Sequence, residues 1–285
     1  MNRSAPRPIP RPIPRHAVAC FHLTALNPVT ANTYWAFFQM MAATLRRVSP
    51  GAEIHLLTLD SCAVPEGLDC DLVFLRASAR PLAESFDILM LEEAETWCAY
   101  ADAGHLSGPT ILIDADLIFQ RDPFSLFDGG FDVGLTYTTE ADLHPFNSGV
   151  ILIDPGHAGV AEAYLEKIGE LVAGYGPEQQ SWYGDQMAIS ALLGDPDFSA
   201  ADGVIDRQAG GVRYRLLPAQ DWNHSPPLDA NDQPVFQAAP EAGIVHFKGE
   251  RKALMARYGA EVLGLEIAED PAAPGGWSVV DLQRD

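Results

Sequence analysis

Between Ala17 and Ile113 the sequence alternates short apolar runs with stretches of helical periodicity, and few architectures accept that order. "AVACFHL" reads as a buried strand, after which Tyr34, Phe38, Met41 and Leu45 recur at helical spacing. "EIHLLTL" and "LVFL" follow as further strands, and Phe86, Met90, Ala94, Trp97 and Ala101 mark a second helix ending near Gly104. "TILI" is then a strand of four or five residues, too short for a helix and ending at Asp114. Strands and helices in such alternation bury their apolar faces as α/β layers.

The pattern changes beyond Asp114. "FDVGLTY" and "SGVILID" lie too close together for a crossover helix, so antiparallel pairing enters and the sheet becomes mixed. Ala161, Leu165, Ile168 and Val172 give another amphipathic helix, a shorter one is expected over 182–193, and "GIVHF" supplies a late strand. A chain of 285 residues, 47% hydrophobic, can bury a sizeable core without disulfides. No internal repeat or second boundary is evident, so residues 16–285 read as a single α/β domain.

Residues 1–15, "MNRSAPRPIPRPIPR", hold five prolines, four arginines and no acid, the composition of an extended, disordered arm. Without those arginines the rest of the chain has 14 basic and 39 acidic residues, and the whole carries a formal charge of −21. Such a surface repels phosphate backbones, so no nucleic-acid partner is expected. An anionic substrate would need a local positive patch or a cation. Cys20, Cys62, Cys70 and Cys98 form no CxxC pair and no zinc-ligand spacing, and read as reduced thiols in a cytoplasmic protein. No run reaches the ~18 apolar residues of a membrane span and no secretory signal opens the chain, which leaves peripheral membrane contact open.

The stretch "ILIDADLIFQ" carries the chemistry. Residues two apart on an extended chain point the same way, so Asp114 and Asp116 can present both carboxylates to one spot at the carboxyl end of a strand, where α/β sheets gather ligands. Two unpaired carboxylates repel; a divalent cation removes that cost, and oxygen ligands suit Mg²⁺ or Mn²⁺. Two other D-x-D triplets, Asp69–Asp71 and Asp195–Asp197, show that the triplet alone is weak. Only the pair at Asp114 follows an apolar strand and runs on into "LIF" and "RDPF". A phosphatase of the haloacid dehalogenase type would want Thr or Val where Ile118 stands, and an earlier strand.

"ILIDADLIFQRDP", "FNSGVILID", "GDQ" and "HFKGERK", in this order, resemble the GT-A-fold nucleotide-sugar glycosyltransferases, most of all the retaining family that includes glycogenin and bacterial lipopolysaccharide galactosyltransferases. The resemblance spans Ala17 to Arg257. It implies a mixed central sheet flanked by helices, with Mn²⁺ or Mg²⁺ held by Asp114, Asp116 and His246 and carrying the diphosphate of a sugar nucleotide, most simply a UDP-sugar. Gly249 and Lys252 would approach and neutralise that phosphate, and Asn147 and Ser148 would bond the sugar hydroxyls. Asp185 and Gln186 would act at the donor sugar and its anomeric carbon, while Trp222 and Asn223 would wall the acceptor side. The chain departs from the family at Ala253 and Leu254, where Pro-Trp is usual, and "FHLTALNPVTAN" lacks the acidic residue that reads the base. The implied activity is hexosyl transfer to the hydroxyl of a glycan, lipid-linked glycan or small molecule, with retention. A sugar-nucleotide hydrolase, an inverting transferase and a non-catalytic nucleotide-sugar binding module are the competing readings.

Overall fold

Four parallel strands carry the first part of the chain. In the computed structural model, which describes residues 14–20, 28–80, 87–139, 144–156, 159–194, 198, 203–269 and 277–279, these are β1 (His16–Cys20), β2 (Glu53–Leu59), β3 (Leu72–Arg76) and β4 (Thr110–Ile113). β4 is buried on both faces, which explains the unbroken apolar run "TILI". After β4 come β5 (Leu117–Phe119), β6 (Val133–Tyr137), β7 (Phe146–Ile153), β8 (Ile205–Ala209), β9 (Val212–Pro218) and β10 (Ile244–His246), then β11 (Ile267–Glu269) and β12 (Trp277–Val279). The main sheet has eight strands in the order β3-β2-β1-β4-β7-β6-β9-β8. β7 runs antiparallel to both β4 and β6, and β9 runs parallel to β6, so the sheet is mixed as expected.

The strand directions decide where a site can form. The carboxyl ends of β4, β6 and β9 and the start of β7 all fall on one edge of the sheet. Along β7 the ladder slips: Leu135 pairs with Ile151 but Thr136 pairs with Asn147, so Ser148, Gly149 and Val150 are extra residues relative to β6. That bulge turns "FNSGV" toward the edge.

Helices cover both faces. α1 (Pro28–Val48) packs Phe38, Met41 and Leu45, all fully buried, against one face together with Ile54, Leu56 and Ile111. Each such side chain contributes about 2 kcal/mol of burial. α2 (Leu89–Asp102), α3 (Val160–Ala173), the short α4 (Pro177–Ser181) and α5 (Gly184–Leu193) lie on the other side, where Trp97, Leu165, Ile168 and Ile189 join Leu112 and Ile151. A one-turn α6 (Ala219–Trp222) follows β9, and α7 (Met255–Leu263) closes a third cluster with Phe247 and Tyr258. Phe86, expected to begin α2, lies outside the described residues, as do Phe21 to Leu23 at the end of the expected first strand.

The expected late strand is present as β10, which lies outside the main sheet and pairs antiparallel with β5, matching Ile244 to Phe119 and His246 to Leu117. The β8–β9 hairpin, α7 and the β11–β12 pair were not anticipated by the sequence pattern. Arg15, assigned to the arm, already touches the body: its carbonyl accepts from the Glu53 N–H and its guanidinium stands over the Phe124 ring. Among the described residues no helix is long and apolar enough to cross a membrane.

Candidate active site

Asp114 and Asp116 leave the end of β4, and β5 begins at once with Leu117. Because β5 pairs with β10, and the Phe247 N–H donates to the Asp116 carbonyl (3.0 Å), His246 is carried onto the acidic pair. Its Nε2 lies 3.1 Å from Asp114 Oδ2 and 3.1 Å from Asp116 Oδ1. This is why the acids are followed by "LIF": the three residues are a strand whose partner supplies the imidazole.

The other face of the ring fixes its proton. His246 Nδ1 lies 2.8 Å from Asn223 Oδ1, while the Asn223 amide nitrogen donates to Thr136 Oγ1 (2.8 Å) and Asn147 Oδ1 (2.9 Å). The amide oxygen must therefore accept, so a neutral His246 carries its hydrogen on Nδ1 and turns the Nε2 lone pair toward two carboxylate oxygens. Three electron-rich atoms facing one another repel, and a cation among them converts repulsion into attraction. The three ligand atoms lie within 4.8 Å of one another. Two carboxylate oxygens with one imidazole nitrogen can hold a divalent cation. Asn223, expected on the acceptor side, is instead buried behind the imidazole as its orienting partner.

Lys252 completes the charge arrangement, with Nζ 2.6 Å from Asp116 Oδ2 and standing over the Tyr34 ring. Burial alone would raise the Asp116 pKa, but with no metal bound the positive charge of a protonated His246 ring and of Lys252 holds the carboxyl well below the usual range. Burial likewise opposes the ammonium of Lys252, and Asp116 overrides it, so its pKa is raised. Gly249, at φ +56°, opens the 3₁₀ turn Gly249–Leu254 that carries Lys252, in a backbone region glycine enters without strain.

Asp185 stands in the first turn of α5, fully buried, and neither carboxylate oxygen has a well-formed hydrogen bond. Burial pushes its pKa up to about 6; the nearby Ser148 hydroxyl and Gln186 N–H oppose that shift, and Asp114 adds to it. The carboxylate does not cap the helix. Two buried, unfilled acceptors beside Ser148 are positioned to receive hydroxyl groups from a ligand. Gln186, half-buried, follows on the same turn. Just before it, Trp182 and Tyr183 are 55% and 45% exposed, and Tyr183 adopts a left-handed backbone at φ +63°.

Two contributors escaped the sequence reading. Gly149 carries its backbone so close to the site that a Cβ there would lie 2.3 Å from His246 Cε1 and 2.7 Å from Asp114 Oδ2. Its carbonyl also accepts from the Asp114 N–H (3.2 Å). Glu93, on α2, is buried, and burial followed by the charges of Asp114 and Asp185 raises its pKa well above the ordinary value. Its neighbour Glu92 points instead to Arg76 and Arg80, a separate ion-pair group. The dipeptide Glu92–Glu93 gives no hint of which carboxylate faces the site.

The decoy triplets behave differently where the structure describes them. Asp71 accepts from Arg46 (2.7 Å) and from the Ile54 N–H (2.7 Å), and Asp69 lies 3.4 Å from the same arginine. Asp195 and Asp197 lie outside the described residues.

No protein-family model matches this chain, and no curated protein matches it in sequence. Among solved structures it is similar to a glycosyltransferase involved in the glycosylation of the major capsid of PBCV-1, at 11% identity over 86% of this chain and 100% of the other, with a TM-score of 0.51. The galactosyltransferase LgtC in complex with donor and acceptor sugar analogs aligns over 82% and 87% of the two chains at 13% identity and a TM-score of 0.47. Mouse xyloside xylosyltransferase 1 aligns over 83% and 98% at 14% identity and a TM-score of 0.45. The first of these fixes the fold: an eight-stranded mixed sheet flanked by helices, the GT-A architecture that the motifs imply.

Proposed function

We propose that this chain is a metal-dependent glycosyltransferase that moves a sugar from a nucleoside-diphosphate sugar, most simply a UDP-sugar, to an acceptor hydroxyl with retention. The observation that carries the reading is the meeting of Asp114, Asp116, His246 and Lys252 at the edge where the fully buried carboxylate of Asp185, without a well-formed hydrogen bond, also stands. A set of residues able to hold a cation, and an ammonium for a diphosphate, lie beside acceptors for sugar hydroxyls.

Asp114, Asp116 and His246 would hold Mn²⁺, which when bound supplies positive charge against the developing diphosphate. Lys252 adds a second positive charge, already oriented by Asp116. Asn147 is held by Asn223, and with Ser148 it lines the start of β7 beside the metal ligands, where amide and hydroxyl can orient the sugar. Asp185, ionised at neutral pH, accepts from sugar hydroxyls, and Gln186 presents its amide near the anomeric carbon. In the transfer the bond from the anomeric carbon to the diphosphate oxygen breaks with its electron pair leaving on the nucleoside diphosphate. The acceptor oxygen forms the new bond and its proton ends on the departing phosphate. The exposed rings of Trp182 and Tyr183 beside this centre offer a surface on which an acceptor sugar can stack.

Incubation with Mn²⁺, a panel of sugar nucleotides and simple glycoside acceptors tests the proposal, with nucleoside diphosphate and glycoside product both measured. Acceptor-dependent diphosphate release with an α-linked product from an α-linked donor is the expected result. Release without transfer to any acceptor would favour a hydrolase, a β-linked product would overturn retention, and no turnover with tight donor binding would leave a binding module.

A further inference from the structure

The opposite edge of the sheet holds a second group of metal-binding side chains that the transfer reaction does not use. His16 begins β1 and Glu53 begins β2 as its register partner, with His55 two residues further on. Both histidines are 4% exposed, whereas the Glu53 side chain is half exposed. Glu53 Oε2 lies 3.5 Å from His16 Nδ1 and 3.4 Å from His55 Nε2, and the ligand atoms of all three residues lie within 4.8 Å of one another. Two ligands about 2.0–2.1 Å from a tetrahedral zinc ion stand roughly 3.3–3.4 Å apart, so the two Glu53–histidine distances admit a shared ion, although the His55 contact can also be a direct hydrogen bond.

The far sides of the rings support the same reading. His55 Nδ1 lies 2.5 Å from the Tyr100 hydroxyl, and His16 Nε2 lies 3.3 Å from Ser107 Oγ. Each imidazole is thus held by an outer partner on the nitrogen that faces away from Glu53, the arrangement that orients metal-binding histidines. His16 Nδ1, by contrast, is buried without a hydrogen-bonding partner, its approach to Glu53 being too long to count as one. A buried ring nitrogen left without a partner beside a carboxylate oxygen is costly, and in the tautomer with its hydrogen on Nε2 a cation between the two removes that cost.

We infer that His16, Glu53 and His55 form a binding site for a zinc-class divalent ion, separate from the Asp114, Asp116 and His246 centre and serving to pin the start of β1 to β2. Two imidazoles and one carboxylate suit Zn²⁺ over Mn²⁺ or Mg²⁺, which favour oxygen ligands. Solvent at the half-exposed Glu53 would supply the fourth ligand.

The test is Zn²⁺ titration of the metal-stripped full chain against a chromophoric chelator, repeated with Glu53→Gln and His55→Gln. Because the Asp114 centre can also take zinc, each variant is also combined with Asp116→Asn. In the Asp116→Asn background the chain is expected to keep one tight zinc equivalent, and Glu53→Gln should weaken it more than about tenfold. Cobalt substitution should give the strong visible absorption of a tetrahedral ion, lost in the Glu53→Gln protein. Glu53→Gln alone should leave Mn²⁺-dependent UDP binding unchanged, which separates this site from the donor site. Equal zinc affinity with and without Glu53→Gln, or no tight equivalent in the Asp116→Asn protein, would overturn the inference. Glu53 is half exposed, so its variant tests the site even where His55→Gln fails to fold.

Discussion

Gly149→Ala tests how far the site depends on a close backbone approach. The added methyl carbon would sit 2.3 Å from His246 Cε1, 2.7 Å from Asp114 Oδ2 and 2.9 Å from Asn147 Oδ1. Carbon contacts relax near 3.5 Å, so the imidazole would have to move by about 1 Å. It is held by Asn223 on one side and by β10 on the other, and cannot move alone. Overpacking of this kind costs roughly 1–3 kcal/mol. For a chain of this length the unfolding entropy is about 0.6 kcal/mol per degree, so the ligand-free Tm should fall by about 2–5 °C. The effect on ligand binding should be larger, since disturbing the groups that orient a metal's ligands costs up to about a hundredfold in metal affinity. With Mn²⁺ and UDP at a hundredfold excess over the wild-type Kd, the wild type gains about 2.7 kcal/mol and the variant about 0.4 kcal/mol. Differential scanning fluorimetry reads both numbers. Gly134→Ala is the control, because its Cβ would crowd Leu152 Cβ at 2.9 Å within the sheet. It should lose similar stability and keep the full ligand gain. If Gly149→Ala keeps the wild-type gain, the close packing around His246 does not shape the binding site.

Three further outcomes are expected. The Asp185 pKa is raised from 3.8 to about 6, so the folded state favours its protonated form; that contribution is complete below about pH 4 and lost as pH rises through 6. In metal- and ligand-free protein Asp185→Asn should therefore stabilise by about 1–3 kcal/mol at pH 8 relative to its effect at pH 4, and urea unfolding giving the same difference at both would refute it. Gln186→Ala should lower turnover at least about tenfold through loss of transition-state contacts while UDP affinity stays within about twofold, and calorimetry showing a tenfold loss of UDP affinity would contradict that division. Removing residues 1–13 should shift Tm by less than about 2 °C because their composition offers no apolar face; a loss of 5 °C or more would show that they pack on the body.

The sequence made the site legible where short-range grammar sufficed. "TILI" ends in acids because a doubly buried strand stops at the sheet edge, and the spacing of Asp114 and Asp116 follows from the strand period. β5 was invisible because three residues cannot show a period, yet its pairing with β10 is what delivers His246. The β8–β9 hairpin was signalled by Gly210 and Gly211, both at positive φ, but the exposed, polar "IDRQA" hides its strand character. The places of Asn223, Gly149 and Glu93 depend on which distant segments approach them, and no local pattern encodes that. Asn223 illustrates the point: its neighbourhood in sequence suggested the acceptor, whereas the fold sets it behind the imidazole.

Calorimetric titration of UDP into the chain, with Mn²⁺ and again with a chelator in its place, isolates the metal's part in donor binding. Binding is expected with Mn²⁺ and little without it, with the metal-dependent part lost in His246→Ala and retained in Asp71→Ala, whose carboxylate is occupied by Arg46. Equal UDP affinity in Mn²⁺ and in chelator, or undiminished metal-dependent binding by His246→Ala, would contradict that expectation.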